Sequence, residues 1–142
     1  MSTSEIMSKE EYYKKLCEGI LIPPDLTPAE ALKLNSMIDQ AITQVMFDYI
    51  EAKRVVWRAE RDWKQELKRQ MLLAKEQNIG SAQDKEAWAY VQALQYKTVF
   101  DIAERDYVFY EGVIDLLKSK KDQLVSDSGF MKLDAAVDYR KA

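Results

Sequence analysis

The chain of 142 residues is one domain's worth of material, and 32% charged residues with only four glycines and three prolines favour an all-α protein. The absence of histidine excludes Ser-His-Asp and Cys-His nucleophiles, Glu-x-x-His metal sites and histidine-ligated zinc, so neither catalysis nor a metal or cofactor is expected. Cys17 is the single cysteine and forms no intrachain disulfide; nothing resembles a secretory signal or a bilayer-length apolar run, which makes a cytoplasmic protein without a membrane partner the expectation.

Residues 1–26 form a leader in which Tyr12, Tyr13, Leu16, Ile20, Leu21 and Ile22 precede Pro23-Pro24. The proline pair stops any helix before it and stiffens an extended link. The apolar residues suit either docking to a protein partner or folding back over the chain's own core. Thr27-Pro28-Ala29-Glu30 then reads as a capping box with proline at the first helical position.

From there one stripe recurs in steps of three or four: Leu34, Ile38, Ala41, Val45, Tyr49, Ala52, Val56, Ala59, Trp63, Leu67, Met71 and Ala74. Asn78-Ile79-Gly80 ends it, with Gly80 suited to a left-handed position, and Ser81 or Asp84 caps the next helix. The second stripe is read as Ala87, Val91, Leu94, Thr98, Ile102, Phe109, Val113, Leu116, Leu117 and Leu124, interrupted by Arg105. Ser126–Gly129 closes it, and residues 130–142 form a short amphipathic helix around Phe130, Leu133 and Val137.

Two helices of about 50 and 40 residues, roughly 75 and 60 Å long, give a long antiparallel helical hairpin over 27–129. Each helix has one seam, and aromatics such as Trp57, Trp88, Tyr90, Tyr96 and Phe100 lie partly off it, so the hairpin is expected to assemble as a homo-oligomer. Phe109, Val113, Leu116, Leu117, Phe130 and Leu133 are the candidate contacts between copies.

The stretch KRVVWRAERDWK, residues 53–64, carries the functional question. On a helical wheel the eight basic residues from Lys53 to Lys75 occupy less than half of the circumference, opposite the apolar seam, and Trp57 falls inside the basic arc. Three acidic residues share that span, so the segment is basic within a chain of net charge −3. Cations in line bind phosphates, and a base stacked on an exposed ring adds about 1–3 kcal/mol with little sequence preference. Lys53, Arg54, Trp57, Arg58, Arg61, Lys64 and Lys68 are therefore the candidate nucleic-acid contacts. A solvated helix face whose cations pair with acids has the same pattern.

Lys53-Arg54-Val55-Val56-Trp57-Arg58-Ala59 resembles the basic helix motif of phage recombination mediators of the UvsY type, and Asp62-Trp63 resembles its Asp-aromatic continuation. Tyr107 to Lys120, YVFYEGVIDLLKSK, is similar to that family's final long-helix segment. The resemblance implies a ring-like homo-oligomer that binds single-stranded DNA, contacts the single-strand-binding protein and the recombinase, and helps load the recombinase, in the host cytoplasm if the chain is phage-encoded. Arg58 matches a basic residue the family uses for DNA; the next basic position is Glu60 here, with Arg61 one residue later. A coiled-coil scaffolding protein of a phage particle, without DNA binding, is the alternative the same seams allow.

Overall fold

The structure, a computed structural model, describes the backbone of residues 3–141 and the side chains of residues 8–126. Four helices account for all regular structure among the described residues: α1 (Thr3–Gly19), α2 (Pro28–Glu76), α3 (Ala82–Gln92) and α4 (Leu94–Lys141). The chain divides into two compact units, one joining Met1–Asp48 to Phe109–Ala142 and the other spanning Tyr49–Val108.

In the first unit the leader is a helix docked on its own core. α1 ends at Gly19, ahead of the proline pair; it buries Tyr13 and Cys17, and Ile20 just after it is buried too. Burial leaves the Cys17 thiol above its ordinary value, since the thiolate would lose its water. The Tyr13 hydroxyl donates to the Asp48 carboxylate, whose other oxygen accepts from Lys9 at 3.1 Å. The Tyr13 ring meets Tyr110 edge-on at 5.9 Å, and Lys120 donates to the Ile20 carbonyl at 2.8 Å. Ile38, Val45, Leu117 and Leu124 are fully covered in this unit.

The expected cap of α2 is there in its first half: the Glu30 amide donates to the Thr27 hydroxyl at 3.2 Å. The first apolar stripe is the buried face, with Ile38, Ala41, Val45, Ala52, Val56, Ala59 and Ala74 covered. α2 closes at Asn78 and Gly80, both with positive φ (51° and 56°). A complete capping box restarts the chain: the Asp84 amide donates to the Ser81 hydroxyl at 3.2 Å, and the Ser81 amide donates to the Asp84 carboxylate at 3.0 Å.

The second stripe is corrected in its first half. Val91, Leu94 and Ile102 face solvent, and Ala89, Ala93, Phe100, Ala103, Tyr107 and Tyr110 turn inward instead, whereas Val113, Leu117 and Leu124 of its second half are buried as expected. The interruption at Ala93 (φ −90°, ψ 4°), where Tyr96 donates to its carbonyl at 3.0 Å in an i→i+3 bond, does not cause the difference, because Ala89, Ala93, Lys97, Phe100, Ala103, Tyr107 and Tyr110 keep one helical phase through it. The inward face is built from alanines and rings with Lys97 among them, so its hydropathy signal is weaker than that of the Val/Leu/Ile face.

In the second unit, Val56, Ala59 and Ala103 form a buried cluster against Phe100 and Tyr107. Trp63 and Phe100 stack at 5.9 Å with planes 6° apart, and the Lys97 ammonium sits over both rings at 4.6 and 4.9 Å. Tyr49 and Tyr107 stack at 5.2 Å with their hydroxyls 3.0 Å apart. As residue numbers rise along α2 they fall along α4 through these pairs, so the two segments run in opposite senses within this unit.

The separate C-terminal helix is also corrected, since α4 passes through Ser126–Gly129 without a break. One glycine in a run of residues that all tolerate helix does not stop it, because the left-handed exit that Gly80 takes is not taken here. Among the proposed contacts between copies, Val113 and Leu117 are spent on the first unit's own core; Phe109 is half-buried and Leu116 exposed. Phe130 and Leu133 lie outside the residues whose side chains are described.

Candidate nucleic-acid interface

The basic arc of α2 forms as a solvent-facing surface because its opposite face, Ala52–Val56–Ala59–Trp63, is held in the second unit's core. Trp57 is 62% exposed, large for an indole on a folded helix. A shallow groove runs from it between Glu60, Arg61, Lys64, Gln65 and Lys68. Four of the seven expected contacts, Trp57, Arg61, Lys64 and Lys68, therefore share one groove, and Lys53 joins them through the ring: its ammonium lies 5.0 Å from the Trp57 centroid.

Acids on the same helix take up part of the positive charge. Lys64 pairs with Glu60 at 2.7 Å, and Arg69 grips Glu66 through two contacts, of 2.6 and 3.1 Å. Arg54–Glu51 at 3.9 Å and Arg61–Asp62 at 3.7 Å are looser. Hydrogen bonds from Arg69, and from Gln70, hold the Glu66 carboxyl below the usual carboxylate range, so it stays ionised. Arg58, Lys68 and Lys75 are exposed and form no ion pair among the described residues.

Magnitudes decide what this pairing means. An exposed i,i+4 pair stabilises a helix by about 0.3–0.5 kcal/mol, whereas a hydrogen bond to a charged group contributes about 1.5–3 kcal/mol. Arg58 and Lys68 are ready to meet a phosphate as they stand. Lys64, Arg54 and Arg61 can exchange their carboxylates for one at small cost, while the two-pronged Arg69–Glu66 contact costs more to give up.

The arc and Trp57 stand where the sequence pattern puts them, but the division into paired and unpaired cations is new. The Glu60/Lys64 and Glu66/Arg69 spacings carry its signal in the sequence. No stripe or wheel marks the groove where α2 meets α3, lined by Leu67, Lys68, Met71, Leu72, Glu86 and Tyr90.

Among the described residues no group of three or more acidic or cysteine side chains is placed to hold a metal, and no helix is long and apolar enough to cross a membrane. Compared with known proteins, the chain matches no family model, and neither a curated protein nor a solved structure aligns with it significantly.

Proposed function

We propose that the chain is a single-stranded DNA-binding protein of the recombination-mediator kind, a binding protein that carries out no chemical step. The observation that carries the reading is an exposed tryptophan set in a groove with Arg61, Lys64 and Lys68, with unpaired Arg58 beside it. Phosphates along a strand meet the cations and a base stacks on Trp57. The likeness of residues 53–63 and 107–120 to phage mediators supports the finer reading: a homo-oligomer of antiparallel helical hairpins acting in the host cytoplasm with a recombinase and a single-strand-binding protein as partners.

The test is the salt dependence of single-strand binding in variants. Removing one phosphate neutralisation lowers the slope of log K against log salt by about 0.7. Arg58→Ala and Lys68→Ala should each do so, and Arg69→Ala should change it less, because Glu66 already holds that guanidinium. Equal slopes in all three variants and the wild type contradict the assignment.

A second reading has its own observation. Val91 is 62% exposed, and Leu94 and Ile102 are also open, an outward apolar series of the kind that self-assembling scaffold helices cover with further copies. That reading shares the oligomer and lacks the DNA.

A further inference from the structure

Two grooves of the second unit meet at one side chain. The groove that begins at Trp57 ends at Lys68, and Lys68 is also a wall of the groove between α2 and α3. That second groove is apolar on the α2 side through Leu67, Met71 and Leu72, and on the α3 side it presents Tyr90, 43% exposed, with Glu86 one turn earlier. Lys68 stands between them with no acidic partner among the described residues.

We propose that Tyr90 is a second stacking platform for the strand that Trp57 receives, so that one single strand runs from Trp57 past Lys68 and lays a second unpaired base in the groove against Tyr90. The inference rests on the DNA-binding reading and adds to it a site on α3, a different helix from the basic arc. The occupant follows from charge and shape together. A strand offers a phosphate for Lys68 and flat, sequence-tolerant π-faces for Tyr90, Met71 and Leu72. A Leu or Ile from a second copy would fill the apolar wall but set its hydrocarbon against the Lys68 ammonium. Glu86 fits a base as well, since a carboxylate accepts from the exocyclic amine of cytosine.

The spacing suits a strand. Trp57 and Lys68 are eleven residues apart, about 16 Å along a helix at 1.5 Å per residue. At about 3.4 Å per stacked nucleotide that is roughly five nucleotides, inside the range of about 4–16 that single-strand modules cover.

The experiment is anisotropy of a labelled 12-nucleotide single strand with the full chain and its Tyr90→Ala, Tyr90→Phe and Trp57→Ala variants, with solution mass measured for each. Tyr90→Ala should bind about 5- to 150-fold more weakly, the 1–3 kcal/mol of a base stack at 1.36 kcal/mol per tenfold, with an unchanged salt slope because every phosphate keeps its cation. Tyr90→Phe should keep wild-type affinity, since the ring is what stacks. If Trp57→Ala is weakened and Tyr90→Ala binds as the wild type does, the second platform is overturned while the DNA reading stands. A lower oligomer mass in Tyr90→Ala at unchanged DNA affinity also overturns it, giving the groove to a second copy. A wild type that binds no strand removes both.

Discussion

Lys53 lies one helical turn before Trp57 and holds its ammonium 5.0 Å from the indole centroid. A cation thus already engages this exposed ring, which also lines the groove of Arg61, Lys64 and Lys68. A base that stacks on the face away from Lys53 would complete a sandwich of cation, indole and base. Lys53 would then act through Trp57 as well as through charge.

That arrangement separates two effects of substitution. Trp57→Ala should weaken single-strand binding by about 1–3 kcal/mol and leave its salt slope nearly unchanged. Lys53→Met keeps the stem and removes the charge, so it should flatten the slope and shift Trp57 fluorescence in the free protein. Binding titrations at several salt concentrations check both; a flattened slope in Trp57→Ala would mean that the ring only positions cations.

The turn between α2 and α3 should be intolerant at one position. A Cβ built on Gly80 would collide with the Asp84 carboxylate that caps α3, and φ there is +56°. Gly80→Ala should therefore cost roughly 1–3 kcal/mol, measured as a lowered urea midpoint. Gly112, by contrast, has nothing within 4 Å of such a Cβ and sits inside α4, so Gly112→Ala should be neutral or stabilising.

The same cap has a pH signature. The Ser81 amide and hydroxyl hold the Asp84 carboxyl below its ordinary value. A group depressed in the folded state contributes stability above its unfolded pKa, about 3.9, and loses it as pH falls through the lower folded value. Thermal melts from pH 6 downward should show this loss, and Ser81→Ala should reduce stability at pH 6 while flattening the dependence below pH 4.

Tyr13 predicts the opposite limb. Burial, reinforced by its hydrogen bond to the Asp48 carboxylate, keeps the phenol protonated well above its usual range. A raised folded pKa means that the unfolded chain releases this proton first, so stability is complete below about pH 10 and falls above it. Tyr13→Phe should cost about 1.5–3 kcal/mol at neutral pH, the worth of a hydrogen bond to a charged group, and should weaken the alkaline decline.

The extent to which the fold was legible in the sequence differs between the two long helices, for physical reasons. In α2, residues such as Ile38, Val45 and Val56 recur with alanines at strict helical spacing, and a single uninterrupted helix preserves their phase. Gly80 and Ser81 were legible because left-handed φ and capping depend on local chemistry. In α3 and α4 the inward face keeps its helical phase, but close packing favours Ala89, Ala93 and Ala103 over the larger residues that dominate a hydropathy stripe, so that stripe follows the wrong face up to Ile102. The basic arc and the exposure of Trp57 followed from the wheel alone. The groove at Tyr90 did not, because it depends on where α3 returns against Leu67 and Met71, which only tertiary packing sets.

The most direct measurement is the affinity of the purified chain for a labelled single-stranded oligonucleotide, followed by anisotropy from low to physiological salt. Binding should weaken steeply with salt, with a slope matching several phosphates, and should be weaker with a slope lower by about 1.4 when Arg58 and Lys68 are both replaced by alanine. No binding at low salt by a chain that remains helical would contradict it, and would leave residues 53–64 as the solvated face of a structural helix.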